Sequence, residues 1–118
     1  MKEQALTKMK EVMHAVYSFE NHLIKNHGLL LNAALTLCAL EGSKAKRSSD
    51  LAEELGVTYS LMSRTVVLLE KRLLIDRSIG KTDKREMRFT LTEKGKKLIK
   101  DIREGYDLGK FLSTLKSR

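Results

Sequence analysis

The chain has no proline, no tryptophan and a single cysteine in 118 residues, and aromatic side chains make up only 5% of it. One cysteine closes no disulfide within the chain, so a reducing cytoplasm is the expected compartment. No apolar run approaches the roughly 20 residues of a membrane helix. The longest, residues 29–40, is too short and is interrupted by Asn32 and Thr36. The first residues, MKEQALTKMKEVMHAV, lack the apolar stretch of a secretion signal. Internal repeats and low-complexity segments are absent too. The marks of several enzyme classes are missing: no nucleophile elbow, no phosphate-cradling glycine loop and no Cys-x-x-Cys pair. Ser, His and Asp occur, but in no catalytic context, so the sequence gives no basis for an enzyme. His14, His22 and His27, with Glu20, fit no compact metal-ligand spacing. They read as surface or interface histidines, and no metal or cofactor is expected.

What remains is a chain with 42% apolar and 32% charged residues, a balance that suits a soluble, helix-rich protein. Its length fits one domain, spanning 1–118. So short a chain buries a modest core, and a partner subunit would extend it. The net charge is +8 and is unevenly placed. Residues 1–43 hold four basic and four acidic side chains, as do residues 44–70, whereas residues 71–103 hold twelve basic and five acidic. A cationic third of this kind is the electrostatic footprint of a polyanion-binding protein. The plainer reading is a lysine-rich solvated surface.

Hydrophobic periodicity divides the chain. Leu6, Met9, Val12, Met13, Val16, Phe19, Leu23 and Ile24 recur in steps of three and four, predicting a long helix over residues 3–26. Such a stripe needs covering, most economically by a partner subunit; the alternative is that it packs only on its own domain. Gly28 suits a left-handed cap at its end. A second helix, apolar on most sides and expected to be the central buried element, covers 30–41. Residues 44–47 form a short connection with room for a brief strand. Ser48 or Ser49 should cap a helix over 50–55 that stops at Gly56, and Thr58 should cap another over 59–72. Leu61, Met62, Thr65, Val66, Leu69 and Leu73 mark the buried side of that helix. The period then drops to two: Met87, Phe89 and Leu91 alternate with polar residues, and Ile75, Arg77 and Ile79 supply a partner strand. Residues 80–84 form the hairpin loop. A last helix opens at residues 92–94, with a break at Gly105 or Gly109. Cys38, in an apolar run, reads as a small buried hydrophobe.

The stretch over residues 48–72 has the form of a helix-turn-helix. Ala52 is small enough for two helices to cross, Gly56 tolerates the positive φ of the turn, and Met62 falls on the inner face of the second helix. The outer face then carries Tyr59, Ser60, Ser63, Arg64 and Val67. Entering a major groove N-terminus first, that face would bring Arg64 to guanine, and Ser60 and Ser63 to bases or phosphates. Tyr59 suits a phosphate or a thymine methyl. Ser48 and Thr58, at the starts of the two helices, join them as candidate DNA contacts. The alternative is an ordinary amphipathic helix with a polar face, although Glu/Lys pairs would serve solubility better. In the basic hairpin, Arg85 is the candidate for a minor groove. Lys71, Lys81, Lys84 and Arg88 are candidates for phosphates, and Asp83 for holding an arginine or the turn. A hairpin whose charges only blunt a sheet edge is the alternative.

These residues carry a resemblance. LAEELGVTYSLMSRTVVLLEKRLLI, followed by DKREMRFTLTEKG, resembles the winged helix-turn-helix regulators of the MarR family. Asp83, Arg85, Leu91, Thr92 and Gly95 fill the positions of its wing motif, Asp-x-Arg leading to Leu-Thr-x-x-Gly. The resemblance implies a mainly α fold with a small β-hairpin wing (α+β). It implies dimerisation helices at about 1–28 and 96–118, a winged helix-turn-helix at about 29–95, and Arg85 at the wing tip. The segment after Gly95 is short beside the family's paired C-terminal helices.

The function expected is that of a homodimeric, sequence-specific transcriptional regulator, a repressor. Its partners would be a pseudo-palindromic duplex operator and an effector, for instance a small molecule, that changes the distance between the two recognition helices. The competing expectation is a winged-helix protein-interaction module, an antirepressor or adaptor with no operator of its own.

Overall fold

The computed structural model describes residues 2–42, 45–78 and 87–107, together with Gly109 and Ser113. In chain order the elements are α1 (Lys2–His27), α2 (Leu31–Ala39), β1 (Lys46–Arg47), α3 (Ser48–Leu55), α4 (Tyr59–Lys71), β2 (Ile75–Ser78), β3 (Arg88–Leu91) and α5 (Glu93–Gly105). They fall into two units, one of residues 1–31 and 101–118, the other of residues 32–100.

In the first unit the predicted long helix is present. Leu23, Leu29 and Ile102 are buried. Tyr106 lies 4.8 Å from the rings of both Phe19 and His22. Glu20 accepts a hydrogen bond of 2.8 Å from the backbone N–H of Leu31. That carboxylate satisfies one of the open donors at the start of α2, where negative charge is favoured. The outer part of the α1 stripe is bare: Leu6, Met9 and Ile24 are exposed, as is Tyr17.

The second unit is built on α3, α4 and a three-stranded antiparallel sheet of order β1-β3-β2. The core is Leu37, Leu40, Leu51, Ala52, Met62, Val66, Leu69, Leu74, Ile75, Phe89 and Ile99, with Ala33 and Ala34. Thr36 is fully buried; its hydroxyl donates to the Asn32 carbonyl at 2.7 Å and lies 3.7 Å from the Met62 sulfur. A buried hydroxyl with its own helix as acceptor costs little. The β2–β3 register sets Ile75 opposite Leu91 and Arg77 opposite Phe89.

The motif after β3 has a physical reason. Thr92 donates to the Leu73 carbonyl at 2.7 Å and accepts from the Gly95 N–H at 3.0 Å. Its N–H reaches the Leu74 carbonyl at 3.1 Å. A Cβ at Gly95 would collide with that same carbonyl oxygen, so only glycine lets α5 start here.

Three expectations are corrected. Neither Ser48 nor Ser49 caps α3. Arg47 holds the cap position, and the Asp50 carboxylate accepts its backbone N–H at 3.2 Å. The β1 pairing ends at Arg47, so the helix begins one residue earlier than a serine cap allows. Leu73 is 66% exposed rather than buried. Its φ of 63° turns the chain out of α4 so that Leu74 and Ile75 enter the core instead. Cys38 is exposed, because α2 turns Leu35 and Cys38, three apart, to the surface while burying Ala33, Ala34, Thr36 and Leu37.

Candidate nucleic-acid interface

The helix-turn-helix geometry comes from the residues that suggested it. Gly56 adopts φ 74°, and the N–H groups of Gly56 and Val57 both reach the Ala52 carbonyl, at 2.9 and 3.0 Å. A residue with a Cβ would be strained there. Ala52 is fully buried where α3 meets α4. Thr58 then opens α4, its side-chain oxygen accepting from the Leu61 N–H at 3.1 Å. Loss of such a cap costs about 1 kcal/mol.

Burying Met62, Thr65, Val66 and Leu69 fixes the rotation of α4 and turns its other face outward. Tyr59, Ser60, Ser63, Arg64, Val67 and Lys71 are all exposed. Ser63, Arg64, Val67, Leu68 and Lys71 line one open groove on that face. The helix thus offers hydroxyls and cations with two aliphatic side chains between them, a set able to meet base edges, methyl groups and phosphates.

Two acidic residues, unremarked in the sequence, shape this surface. Glu53 on α3 accepts a hydrogen bond of 3.1 Å from the Tyr59 hydroxyl. That bond, and the carboxylate's charge, push the Tyr59 phenol above the ordinary tyrosine value. Glu70 accepts two bonds from Arg77. The spacings of six and seven residues across a turn are the only sequence signals of these pairs, and each needs the fold to close it.

The other candidates divide. Ser48, half-buried, is the first residue of α3. Arg88, half-buried, is the first residue of β3 and lies opposite Arg47 on β1 and Ser78 on β2. These two stand apart from the α4 face on different elements. Arg47 donates to Asp50 from both its side chain and its backbone, which holds the Asp50 carboxyl below the usual carboxylate range; the charge of Arg88 adds to the effect. Lys81, Asp83, Lys84 and Arg85 lie outside the described residues. Among the described residues no group of three His, Cys, Asp or Glu is placed to hold a metal ion. No described helix is long and apolar enough to cross a membrane.

A helix-turn-helix followed by an antiparallel β2–β3 pair, with a short β1 completing the sheet, is a winged helix. A model of the MarR family matches residues 27–86, more than half of the chain. The chain belongs to the MarR family, whose winged-helix members are DNA-binding transcriptional regulators. Its fold is similar to that of the transcriptional regulator BldR from Sulfolobus solfataricus, with a TM-score of 0.76 and 24% identity, covering 87% of this chain and 74% of that one. It is also similar to AbsC, a MarR family transcriptional regulator from Streptomyces coelicolor, with a TM-score of 0.76 and 23% identity over 96% of this chain and 74% of that one. The transcriptional regulator SlyA matches with a TM-score of 0.74 and 24% identity over 86% and 71% of the two chains. No curated protein sequence matches the chain.

Proposed function

We propose that this protein is a homodimeric repressor that reads a pseudo-palindromic operator by setting α4 in successive major grooves. The observation that carries the reading is the outward face of α4. Tyr59, Ser60, Ser63 and Arg64 are exposed along its first half, on a helix whose opposite side is locked into the core. In this reading Arg64, Ser60 and Ser63 choose bases. Thr58, Ser48, Tyr59, Lys71, Lys81, Lys84 and Arg88 hold phosphates, and Arg85, with Asp83 bracing the loop, reaches the minor groove. The net positive charge of residues 71–103 suits that backbone grip. Dimerisation belongs to residues 1–28 and 96–118, a role supported by the exposed Leu6, Met9, Tyr17 and Ile24 of α1. An effector that alters the spacing of the two α4 helices would relieve repression.

The test is a selection of duplexes from a random pool, followed by gel shifts. Arg64→Ala should relax the preference at one base position, costing about 1–3 kcal/mol there. Arg85→Ala should weaken binding to most sequences alike. Unchanged affinity and preference in both variants would point instead to a protein-binding adaptor.

A further inference from the structure

The sheet brings together charges that separate parts of the sequence supply. In the β1–β3 pair Arg47 stands directly opposite Arg88, and in the β3–β2 pair Arg88 stands opposite Ser78. Residues directly opposite across an antiparallel pair share one face of the sheet, and like charges so placed destabilise it. The neighbouring row, Lys46, Phe89 and Arg77, points the other way: Phe89 is buried, Lys46 reaches the Ala39 carbonyl and Glu54, and Arg77 reaches α4. The Arg47–Arg88–Ser78 row therefore occupies the outer face, at the N-terminal end of α3. Among the described residues one carboxylate, Asp50, feels both guanidinium groups, and Arg47 engages it with a fork of two bonds at 3.2 Å. Among those same residues the Arg88 side chain has no hydrogen bond or ion pair. Two arginines set face to face concentrate positive charge on this face of the sheet, which an incoming anion would screen.

We propose that Arg47 and Arg88 form a phosphodiester-binding site for the backbone of duplex DNA, separate from α4 and from the loop between β2 and β3. The inference rests on the regulator reading above and adds Arg47 to the surface that grips the duplex. Arg88 meets one non-bridging oxygen, Arg47 turns part of its fork from Asp50 to the other, and Ser78 completes the row. Asp50 then acts against binding: it is the anion that occupies the site when DNA is absent.

The experiment measures affinity for a labelled mixed-sequence duplex as a function of salt, for the full chain and for Arg47→Met, Arg88→Met and Asp50→Asn. Each phosphate contact contributes about 0.9 to the log–log salt slope. Arg47→Met and Arg88→Met should each flatten the slope by about one and weaken binding equally on all sequences. Asp50→Asn should leave the slope at least as steep and tighten binding, although it removes the cap contact of α3. A wild-type slope in Arg47→Met overturns the site while leaving the regulator reading intact. Weakened binding in Asp50→Asn, in step with Arg47→Met, overturns it as well, because Arg47 would then act only by fastening α3. A wild-type protein with no salt-dependent binding removes both readings together.

Discussion

Glu70 on α4 takes two hydrogen bonds of 2.7 Å from the guanidinium of Arg77 on β2, one from Nε and one from Nη2. The remaining terminal nitrogen of Arg77 lies 3.1 Å from the Met87 sulfur, just before β3. One planar fork thus ties the helix proposed to read DNA to the strand that leads into the basic loop and to the residue that leaves it. Such bidentate geometry fixes orientation as well as distance. The pair is partly exposed, so it contributes more to alignment than to stability.

Glu70→Gln should therefore lower the melting temperature slightly at neutral pH, by a difference that closes in acid. The arginine holds the Glu70 carboxyl below its ordinary range. A depressed folded value means stabilisation that is complete above the unfolded value and disappears as pH falls through the folded one. Melting curves taken from neutral into acid should show the wild type losing more stability than Glu70→Gln. Parallel losses would show that the fork carries no such linkage.

Leu73 holds a conformation that leucine avoids. Its φ is 63°, its side chain is 66% exposed, and its carbonyl is held by Thr92. Glycine there would remove a left-handed penalty of about 1–2 kcal/mol, set against roughly 0.4–1 kcal/mol of extra freedom in the unfolded chain. Leu73→Gly should raise stability by about 0.5–1 kcal/mol in denaturant titrations. A lower midpoint would mean that the leucine side chain makes a stabilising contact.

Tyr59 and Glu53 give a spectroscopic prediction. The phenol is pushed up by the carboxylate beside it, so its stabilising bond is complete below the ordinary tyrosine value and is lost as pH rises through the folded one. In an alkaline titration followed by phenolate absorbance, Glu53→Gln should bring one tyrosine down toward the ordinary value. Identical curves for the two proteins would show that the bond does not persist in solution. Glu53 also places negative charge beside the α4 face, and the same substitution should tighten binding to duplexes of any sequence.

The limits of legibility in the sequence follow from range. Thr58, Gly56 and the Met62–Val66–Leu69 spacing could be read because cap, turn and helical period are local properties, and the structure places each as expected. The brief strand before α3 was legible as a gap between helices, and the alternation around Phe89 marked β3. Exposure of Leu73 was not legible. Its apolar character fits the stripe of α4, and only the chain reversal that delivers Leu74 and Ile75 to the core turns it outward. Arg47 took the cap position from the expected serines because the start of α3 is set by β1 pairing with β3, a contact between residues more than forty apart. The Glu70–Arg77 fork and the Arg47–Arg88 pair depend in the same way on strand register, which no local pattern specifies.

The central claim, that the outward face of α4 lies against bases, has a direct test. A cleavage reagent attached at Ser63→Cys, with Cys38→Ser removing the exposed native thiol, reports where that face sits on a bound duplex. The account predicts strand cuts confined to major-groove positions in each half of the operator. A stable complex whose DNA is left uncut by the reagent at position 63 would contradict it.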